Sequence, residues 1–274
     1  MNSTIRRFDV GRFKCIAIRD GGHLGTADFL FANAPPEELK AILQKQNLEN
    51  DQLPSSWTCL LVDTGRKKLL VDTGIGSLEP RGGKLLPQLE QLGYQPGDID
   101  MVFLTHGHPD HVGGCTGEDD KPAFSNAQYV TGKQEFEFWT AEQPDSGNWM
   151  AQFSRQKLLA IEDRLELVGS DLELLPGIRT IEAYGHTPGH LGLEIHSQGE
   201  TLLNLADCAL HPLHLAHPDW FAEVDILPDQ MIATRVRLLE HAAKEKVLVL
   251  FFHFDFPSLG YVEQDGKFWS WRSV

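Results

Sequence analysis

Three histidines and one aspartate lie within six consecutive positions, 106 to 111, of this 274-residue chain. Imidazole and carboxylate groups together suit a divalent first-row metal such as zinc. The spacing His-x-His-x-Asp-His can supply two ions, with His106 and His108 directed to one ion and Asp110 and His111 to its neighbour. The alternative is a solvated polar loop with adventitious metal affinity, so the surrounding sequence has to decide between them.

The sequence around this run predicts that it follows a buried strand. The residues at 101–104 are all apolar, which is typical of a short buried strand. Gly113 and Gly114 come after the run and permit a tight turn. Further residues of metal-ligand type also stand at the ends of apolar runs: His186, Asp207 and His253. Four strand ends that each deliver a ligand favour a metal site over a solvated loop.

These motifs, in this order, give the chain a family resemblance. They are Val71-Asp72-Thr73-Gly74, the run at 106–111, Gly-His-Thr-Pro-Gly-His at 185–190, Asp207 and His253. The chain resembles the metallo-β-lactamase-fold hydrolases over about residues 13 to 262. Within that superfamily it is most similar to the branch that holds methyl parathion hydrolase and the N-acyl homoserine lactone lactonases. The stretches that support this placement are 30–35, 211–213, 218–220 and 256–260.

The resemblance implies a dinuclear metal centre with a defined ligand set. The first ion would be held by His106, His108 and His186, and the second by Asp110, His111 and His253. Asp207 would bridge both ions, opposite a bridging hydroxide. Asp72 would orient a ligating imidazole by accepting its other N–H, although it also suits a turn. The ions expected are two divalent cations, with zinc first and manganese, iron or cobalt as alternatives.

The pattern of strands and helices predicts a layered α/β domain, and the resemblance narrows this to the four-layer αββα sandwich of the metallo-β-lactamase fold. A single domain over residues 1–274 is expected. Residues 145–147 predict a break in the chain. Helical spacing of Ile232, Val236, Leu239 and Ala243 predicts that they form the buried face of a helix over 229–246.

Two segments, 21–56 and 209–224, are expected to cover the site as insertions. From them, the residues predicted to line a substrate pocket are Phe29, Phe31, His211 and Trp220. For each aromatic residue, ordinary packing is the alternative. His214 and His217 are predicted to lie on the surface.

The net charge of −15, with histidines neutral, argues against a nucleic acid or an anionic membrane as the main partner. None of the four cysteines forms a Cys-x-x-Cys pair, which disfavours a disulfide framework, and Cys208 is expected to be a packed thiol. No secretory signal and no long apolar stretch occur, so a cytoplasmic protein is expected. The expected partner is a small-molecule substrate, and a homodimer remains open.

The chemistry that this site predicts is hydrolysis of an ester-like bond. Bound zinc lowers the pKa of water to about 7, and an open metal position can polarise a carbonyl or phosphoryl oxygen. Asp110 would carry a proton to the leaving group. Related lactonases often have a tyrosine where this chain has Leu210, so lactones, carboxyl esters and phosphotriesters all remain as substrates. The alternatives are an iron-dependent oxygenase and a non-catalytic metal-binding descendant.

Overall fold

The protein is described by a computed structural model that covers residues 4–48, 50, 52–117, 119–141 and 148–274. The break predicted at 145–147 lies outside these described residues. In the part of the chain that is described, the strands form two seven-stranded sheets, and in each sheet neighbouring strands follow one another in the sequence.

The first sheet contains β1 (Ile5–Val10), β2 (Phe13–Gly25), β3 (Leu53–Asp63), β4 (Lys68–Val71), β5 (Met101–Leu104), β6 (Gln128–Gly132) and β7 (Leu165–Val168). The second sheet contains β8 (Glu173–Leu175), β9 (Ile178–Glu182), β10 (Leu191–Ser197), β11 (Glu200–Ala206), β12 (Leu248–Phe251), β13 (Leu259–Asp265) and β14 (Phe268–Ser273). Strands β4 to β7 run parallel to one another, as do β11 and β12.

The helices are α1 (Ala27–Leu30), α2 (Pro36–Lys45), α3 (Leu85–Gln91), α4 (Pro109–Val112), α5 (Lys133–Thr140), α6 (Trp149–Ala160), α7 (Leu213–Ala216) and α8 (Pro228–Glu245). In these described residues, no helix combines the length and the apolar character that crossing a membrane requires.

Successive side chains of a strand point to opposite faces of its sheet, so apolar side chains pack on both faces of each sheet. In β3, Leu60 and Val62 point into the space between the sheets, where they pack with residues of the second sheet such as Leu193. Cys59 and Leu61 point to the opposite face, since successive side chains of a strand alternate. That outer face packs against α3, α4 and α6, and the outer face of the second sheet packs against α8. The layers are therefore α-β-β-α, which confirms the predicted sandwich.

The buried face of α8 differs from the predicted one. Its buried residues are Met231, Thr234, Arg235, Leu238, Leu239 and Ala242. Of the predicted stripe only Leu239 is fully buried, whereas Ile232, Val236 and Ala243 are half-buried at its edge. The prediction was wrong by part of a turn because it counted apolar residues, and this helix buries an arginine and a threonine instead.

The segments 21–56 and 209–224 pack against each other, with residues 49 and 51 of the first outside the described part. The ends of the first segment are strand, since β2 runs to Gly25 and β3 begins at Leu53. Two backbone hydrogen bonds join the segments: Ala32 N–H donates to Phe221 O at 2.8 Å, and Glu223 N–H donates to Phe29 O at 2.8 Å.

Histidines of the second segment lie inside this packing. His214 is fully buried, and its Nε2 lies 2.9 Å from the carbonyl oxygen of Leu30, so its predicted surface position was wrong. His217 is half-buried, because its ring stacks on Trp220 with centroids 3.9 Å apart. His211 is buried against the ring of Phe31, and its Nδ1 accepts a hydrogen bond from Leu213 N–H at 3.2 Å.

The four cysteines, which are Cys15, Cys59, Cys115 and Cys208, are all buried free thiols. Cys208 therefore is the packed thiol that the sequence predicted.

A buried carboxylate on α5 joins the loop at 106–111 to the loop at 185–190. Glu135 accepts hydrogen bonds from Gly107 N–H at 2.8 Å and from the indole N–H of Trp139 at 2.5 Å. Its other oxygen accepts from Thr187 Oγ1–H at 2.7 Å and from Gly189 N–H at 3.0 Å. The approach at Gly189 is so close that a Cβ there would lie 2.0 Å from Glu135 N. Glu135 thus fixes the distance between two loops that carry candidate ligands.

We predict that Glu135→Gln lowers the free energy of unfolding by about 2 to 4 kcal/mol, because the new amide would turn a donor toward N–H and O–H donors that need an acceptor. Glu137→Gln, on the same helix but with an exposed side chain, should change it by less than about 0.5 kcal/mol. Denaturant unfolding of the two variants and the parent chain measures both effects. Equal stability of the two variants would contradict the role assigned to Glu135.

Burial of His211 predicts loss of stability in acid. Burial lowers the pKa of His211 from its ordinary value of 6.5 to about 4. As the pH falls below 6.5 the unfolded chain takes up this proton before the folded chain does, so stability is full above 6.5 and is lost on the way to pH 4. When the pH falls from 7 to 4.5, the free energy of unfolding of His211→Asn should therefore decrease by about 2 to 3 kcal/mol less than that of the parent chain.

Denaturant unfolding at the two pH values, with a chelator present, measures this difference. His241→Asn is the control, because His241 is an exposed residue of α8 and should leave the acid-induced loss unchanged. An acid-induced loss in His211→Asn as large as that of the control would show that His211 does not contribute to it.

Candidate metal centre

Four loops deliver the predicted ligands to one place, at the ends of strands from both sheets. The loop after β5 carries the run 106–111, the turn between β9 and β10 carries His186, and Asp207 and His253 follow β11 and β12. In the described residues the potential ligand atoms form two groups, each with all atoms within 4.8 Å of one another. We call them the first group, which contains His106, His108, His186 and Asp207, and the second group, which contains Asp110, His111 and His253.

Imidazole nitrogens converge at short distances in the first group. His108 Nδ1 lies 2.9 Å from His106 Nε2 and 2.9 Å from His186 Nε2. A neutral imidazole carries one N–H donor and one lone pair, so these three atoms cannot all be paired with each other. Burial lowers the pKa of His106 and of His108 well below the ordinary histidine value of 6.5, and neighbouring histidines add to the effect. Facing lone pairs of neutral imidazoles are suited to a shared cation.

Asp207 lies between the two groups. Its Oδ2 is 3.2 Å from His186 Nε2 and 3.1 Å from His253 Nε2, and its Oδ1 is 3.3 Å from His111 Nε2. Asp207 Oδ1 and His111 Nε2 are both buried without a hydrogen-bond partner. A buried carboxylate oxygen and a buried ring nitrogen left in this way are costly unless a cation binds them. The residues present therefore fit divalent metal ions.

Three of the candidate imidazole ligands are held by a partner behind the site. His111 Nδ1 lies 2.9 Å from Asp72 Oδ2, which is the position that the sequence predicted for Asp72. His186 Nδ1 lies 2.6 Å from Asp225 Oδ1. His253 Nδ1 donates to the carbonyl oxygen of Ser56 at 3.1 Å. Because the rear nitrogen is occupied, the other nitrogen of each of these three rings faces the site, where it can bind a cation.

The carboxylates of the site also set the charge of two of its histidines. Burial opposes protonation of His186, but hydrogen bonds and the charges of Asp207 and Asp225 outweigh it and raise the pKa of His186 to about 9. The pKa of His111 is raised well above 6.5, because Asp207, Asp72 and Asp110 together exceed the effect of burial. Without a cation, protons on these two rings balance the buried carboxylates, so metal binding has to displace them.

Backbone strain is concentrated at two of these positions. Asp72 has a φ of 60°, and Ala206, directly before Asp207, has a φ of 40°. A left-handed conformation at a residue other than glycine costs of order 1 kcal/mol or more and persists only where its surroundings require it. Here it turns two carboxylates into the site at the ends of β4 and β11.

A cavity of about 470 Å³ opens onto the two groups. Asp110, His108 and Asp207 lie at its polar end. Its walls are mostly apolar, and they include Phe29, Leu30, Trp57, Leu78, Trp149 and Leu210. An apolar cavity beside a polar cluster is suited to a small molecule with an apolar part and one polar reacting group.

The predicted pocket residues are not all on this wall. Phe29 lines the cavity, with 38% of its surface exposed. Phe31, His211 and Trp220 instead lie in the packing behind it, where Phe31 is 1% exposed and contacts both other rings. The positions that the sequence did not single out are Asp225, Glu135, Ser56 and Trp149. Of these, Asp225 and Glu135 are buried carboxylates, a signal that only the fold makes visible.

Comparison with known proteins agrees with this architecture. A family model described as the metallo-beta-lactamase superfamily matches residues 56–211. The N-acyl homoserine lactonase AiiA of Bacillus thuringiensis subsp. kurstaki is 26% identical over 217 residues, which span 71% of this chain and 80% of that protein.

Two solved structures are similar over almost the whole chain. One is AidC, a dizinc quorum-quenching lactonase in complex with the product N-hexanoyl-L-homoserine, with 28% identity and a TM-score of 0.93 over 99% of this chain and 98% of that one. The other is the hydrolase AbOPH, with 26% identity and a TM-score of 0.92 over 100% and 98%. With a family model that spans more than half of its length, the chain belongs to the metallo-beta-lactamase superfamily.

Proposed function

We propose that this protein is a metal-dependent hydrolase with a dinuclear centre that acts on an ester-type bond. The observation that carries the proposal is the position of Asp207. Its Oδ2 lies 3.2 Å from His186 Nε2 of the first group and 3.1 Å from His253 Nε2 of the second, and its Oδ1 lies 3.3 Å from His111 Nε2 of the second. In this proposal the first group holds one ion, the second group holds the other, and Asp207 binds both. Zinc is the first choice, because these donors suit it and AidC, at 28% identity, is described as a dizinc enzyme.

When bound, two such ions supply a water molecule of lowered pKa as nucleophile and polarise the oxygen of the bond that is cleaved. The chain's own residues prepare the site for this chemistry. Asp72 and Asp225 fix the rings of His111 and His186, so little reorganisation is needed when substrate binds.

Asp110 is the residue that we assign to proton transfer. It lines the cavity with 17% of its side chain exposed, and its Oδ2 lies 3.5 Å from His253 Nε2. A carboxylate at the boundary between the ligands and the open cavity can receive a proton from the nucleophile and deliver it to the leaving group.

The cavity supports a neutral substrate with an apolar substituent. The segments 21–56 and 209–224 both contribute to its wall, with Phe29 and Leu30 from the first and Leu210 and Val224 from the second. We therefore propose that these segments cover the active site of a single domain. Among ester-type substrates we place lactones first, because AidC, the more similar of the two solved structures, is a lactonase with bound N-hexanoyl-L-homoserine. Carboxyl esters and phosphotriesters stay open, since Leu210 offers no hydroxyl group.

A metal count on the purified full chain is the first test. We expect two divalent ions per chain, and we expect Asp207→Ala to lose at least one ion and to reduce kcat by about 100-fold or more, because the variant removes a ligand from both ions. Asp163→Ala, an exposed position, is the control and should match the parent in both measurements. One ion in the parent, or full activity without Asp207, would contradict the dinuclear proposal.

The substrate class requires a second test with the fully loaded parent enzyme. A panel of N-acyl homoserine lactones, aryl esters and phosphotriesters should show the highest kcat/KM for a lactone, and KM should fall as the acyl chain lengthens from four to about eight carbons. Each methylene that enters the apolar cavity should contribute up to about 0.8 kcal/mol. Oxygen uptake with bound iron would favour an oxygenase, and loaded protein inactive on every substrate would favour a binding role.

A further inference from the structure

Arg235 is a charged residue in an apolar layer. It lies on the buried face of α8, its exposure is 0%, and it is among the largest fully buried side chains of the described residues. Arginine is almost never fully buried unless its charge is paired, so a compensating arrangement is expected around it.

Most of its donors hold the segment that follows Asp207. Arg235 Nε–H donates to the carbonyl oxygen of Cys208 at 2.6 Å. One terminal nitrogen donates to the carbonyl oxygens of Pro218, at 3.1 Å, and Trp220. The guanidinium thereby fixes the backbone of the residue next to Asp207 relative to the segment that covers the site, and its planar fork makes these bonds from one rigid group.

The remaining nitrogen faces a second carboxylate. Arg235 Nη2 is buried without a hydrogen bond and lies 3.8 Å from Asp225 Oδ2. Asp225 Oδ2 also accepts from Ala222 N–H at 2.9 Å, and its Oδ1 lies 2.6 Å from His186 Nδ1. A continuous path therefore runs from Arg235 through Asp225 to His186.

We propose that Arg235 and Asp225 are positioning residues of the first group, an inference that rests on the metal centre proposed above. Arg235 Nη2 lies 3.8 Å from Asp225 Oδ2, and Asp225 accepts from both His186 Nδ1–H and Ala222 N–H. This fixes the His186 tautomer whose Nε2 lone pair faces the site. The same guanidinium holds the backbone beside Asp207. His186 belongs to the first group alone, whereas Asp207 would serve both ions. Metal affinity in the first group should therefore depend on Asp225, which contacts His186, more than affinity in the second group does.

Asp225→Asn separates this role from simple space filling. Asparagine has the shape of aspartate but one acceptor oxygen in place of two, so either Ala222 N–H or His186 Nδ1–H loses its acceptor. We expect metal affinity at the first group to fall by 10- to 100-fold, which is the range for partners that orient metal ligands. Metal affinity at the second group should change by less than 3-fold. Arg235→Lys should act in the same direction, because lysine keeps the charge but not the planar fork.

The test uses the full chain, freed of metal with a chelator and titrated with Co²⁺. The visible absorption of bound Co²⁺ reports its coordination as each site fills, and this measurement does not depend on enzyme activity. Arg237→Lys, two residues along the same helix with half of its side chain exposed, is the matched control and should bind both ions as the parent does. Thermal unfolding of the metal-free variants shows whether each chain is folded. If Arg235→Lys fails to fold, Asp225→Asn alone decides.

Selective weakening of one site in folded Asp225→Asn, with a changed Co²⁺ spectrum for that site, supports the proposal. Unchanged binding at both sites, or equal weakening of both, would overturn it and leave the dinuclear proposal intact. A parent chain that binds fewer than two Co²⁺ ions would instead overturn the dinuclear proposal, on which this inference rests.

Discussion

The structure depends on the convergence of imidazole nitrogens on the two oxygens of Asp207. Taking a carboxylate out of water costs several kcal/mol unless cations or hydrogen bonds compensate, and here Asp207 Oδ1 has neither a hydrogen bond nor solvent. The five histidines around it are buried as well, and His111 Nε2 has no hydrogen-bond partner. A cation bound between these groups would compensate the buried carboxylate and would also give the imidazole nitrogens a partner. The surrounding fold therefore has to hold the ligands together against their mutual repulsion in the metal-free chain.

Buried carboxylates behind the site, which do not line the cavity, hold the ligands in place. Glu135 joins two ligand loops through four hydrogen bonds, and Asp72 and Asp225 each fix one imidazole. These carboxylates are tolerated in the interior because each of their oxygens meets at least one donor. Since the supporting groups come from β4, α5 and the loop before α8, the geometry of the site is tied to both sheets. The positions of the ligands therefore depend on the packing of both sheets and their helices.

The residues that we propose as ligands could be singled out from the sequence because their signal is local. A run such as 106–111 directly after an apolar strand combines residue type, spacing and position in the fold, and the chain does bring those side chains together with His186, Asp207 and His253. The supporting residues give no such signal. Neither Glu135 nor Asp225 belongs to a motif in the sequence, and only the packing of α5 and of the loop before α8 reveals what they contact. The sequence likewise cannot tell which aromatic residues face the cavity, so Phe29 and Phe31 were treated alike although only Phe29 lines it.

Arg235 shows most directly why the remaining errors arose. Hydrophobic periodicity assigns a charged residue to the solvent side of a helix, and that rule rotated the predicted face of α8 away from the real one. The rule fails when the N–H groups of a buried guanidinium donate to backbone carbonyl oxygens instead of to water. Arg235 does this with the carbonyl oxygens of Cys208, Pro218 and Trp220. An arginine at that depth would add little to stability compared with a leucine that fills the same space, since the cost of burial offsets its bonds. Its presence on this face is better explained by what it positions than by the stability it adds, because the carbonyls that it binds belong to the segment between Asp207 and Asp225.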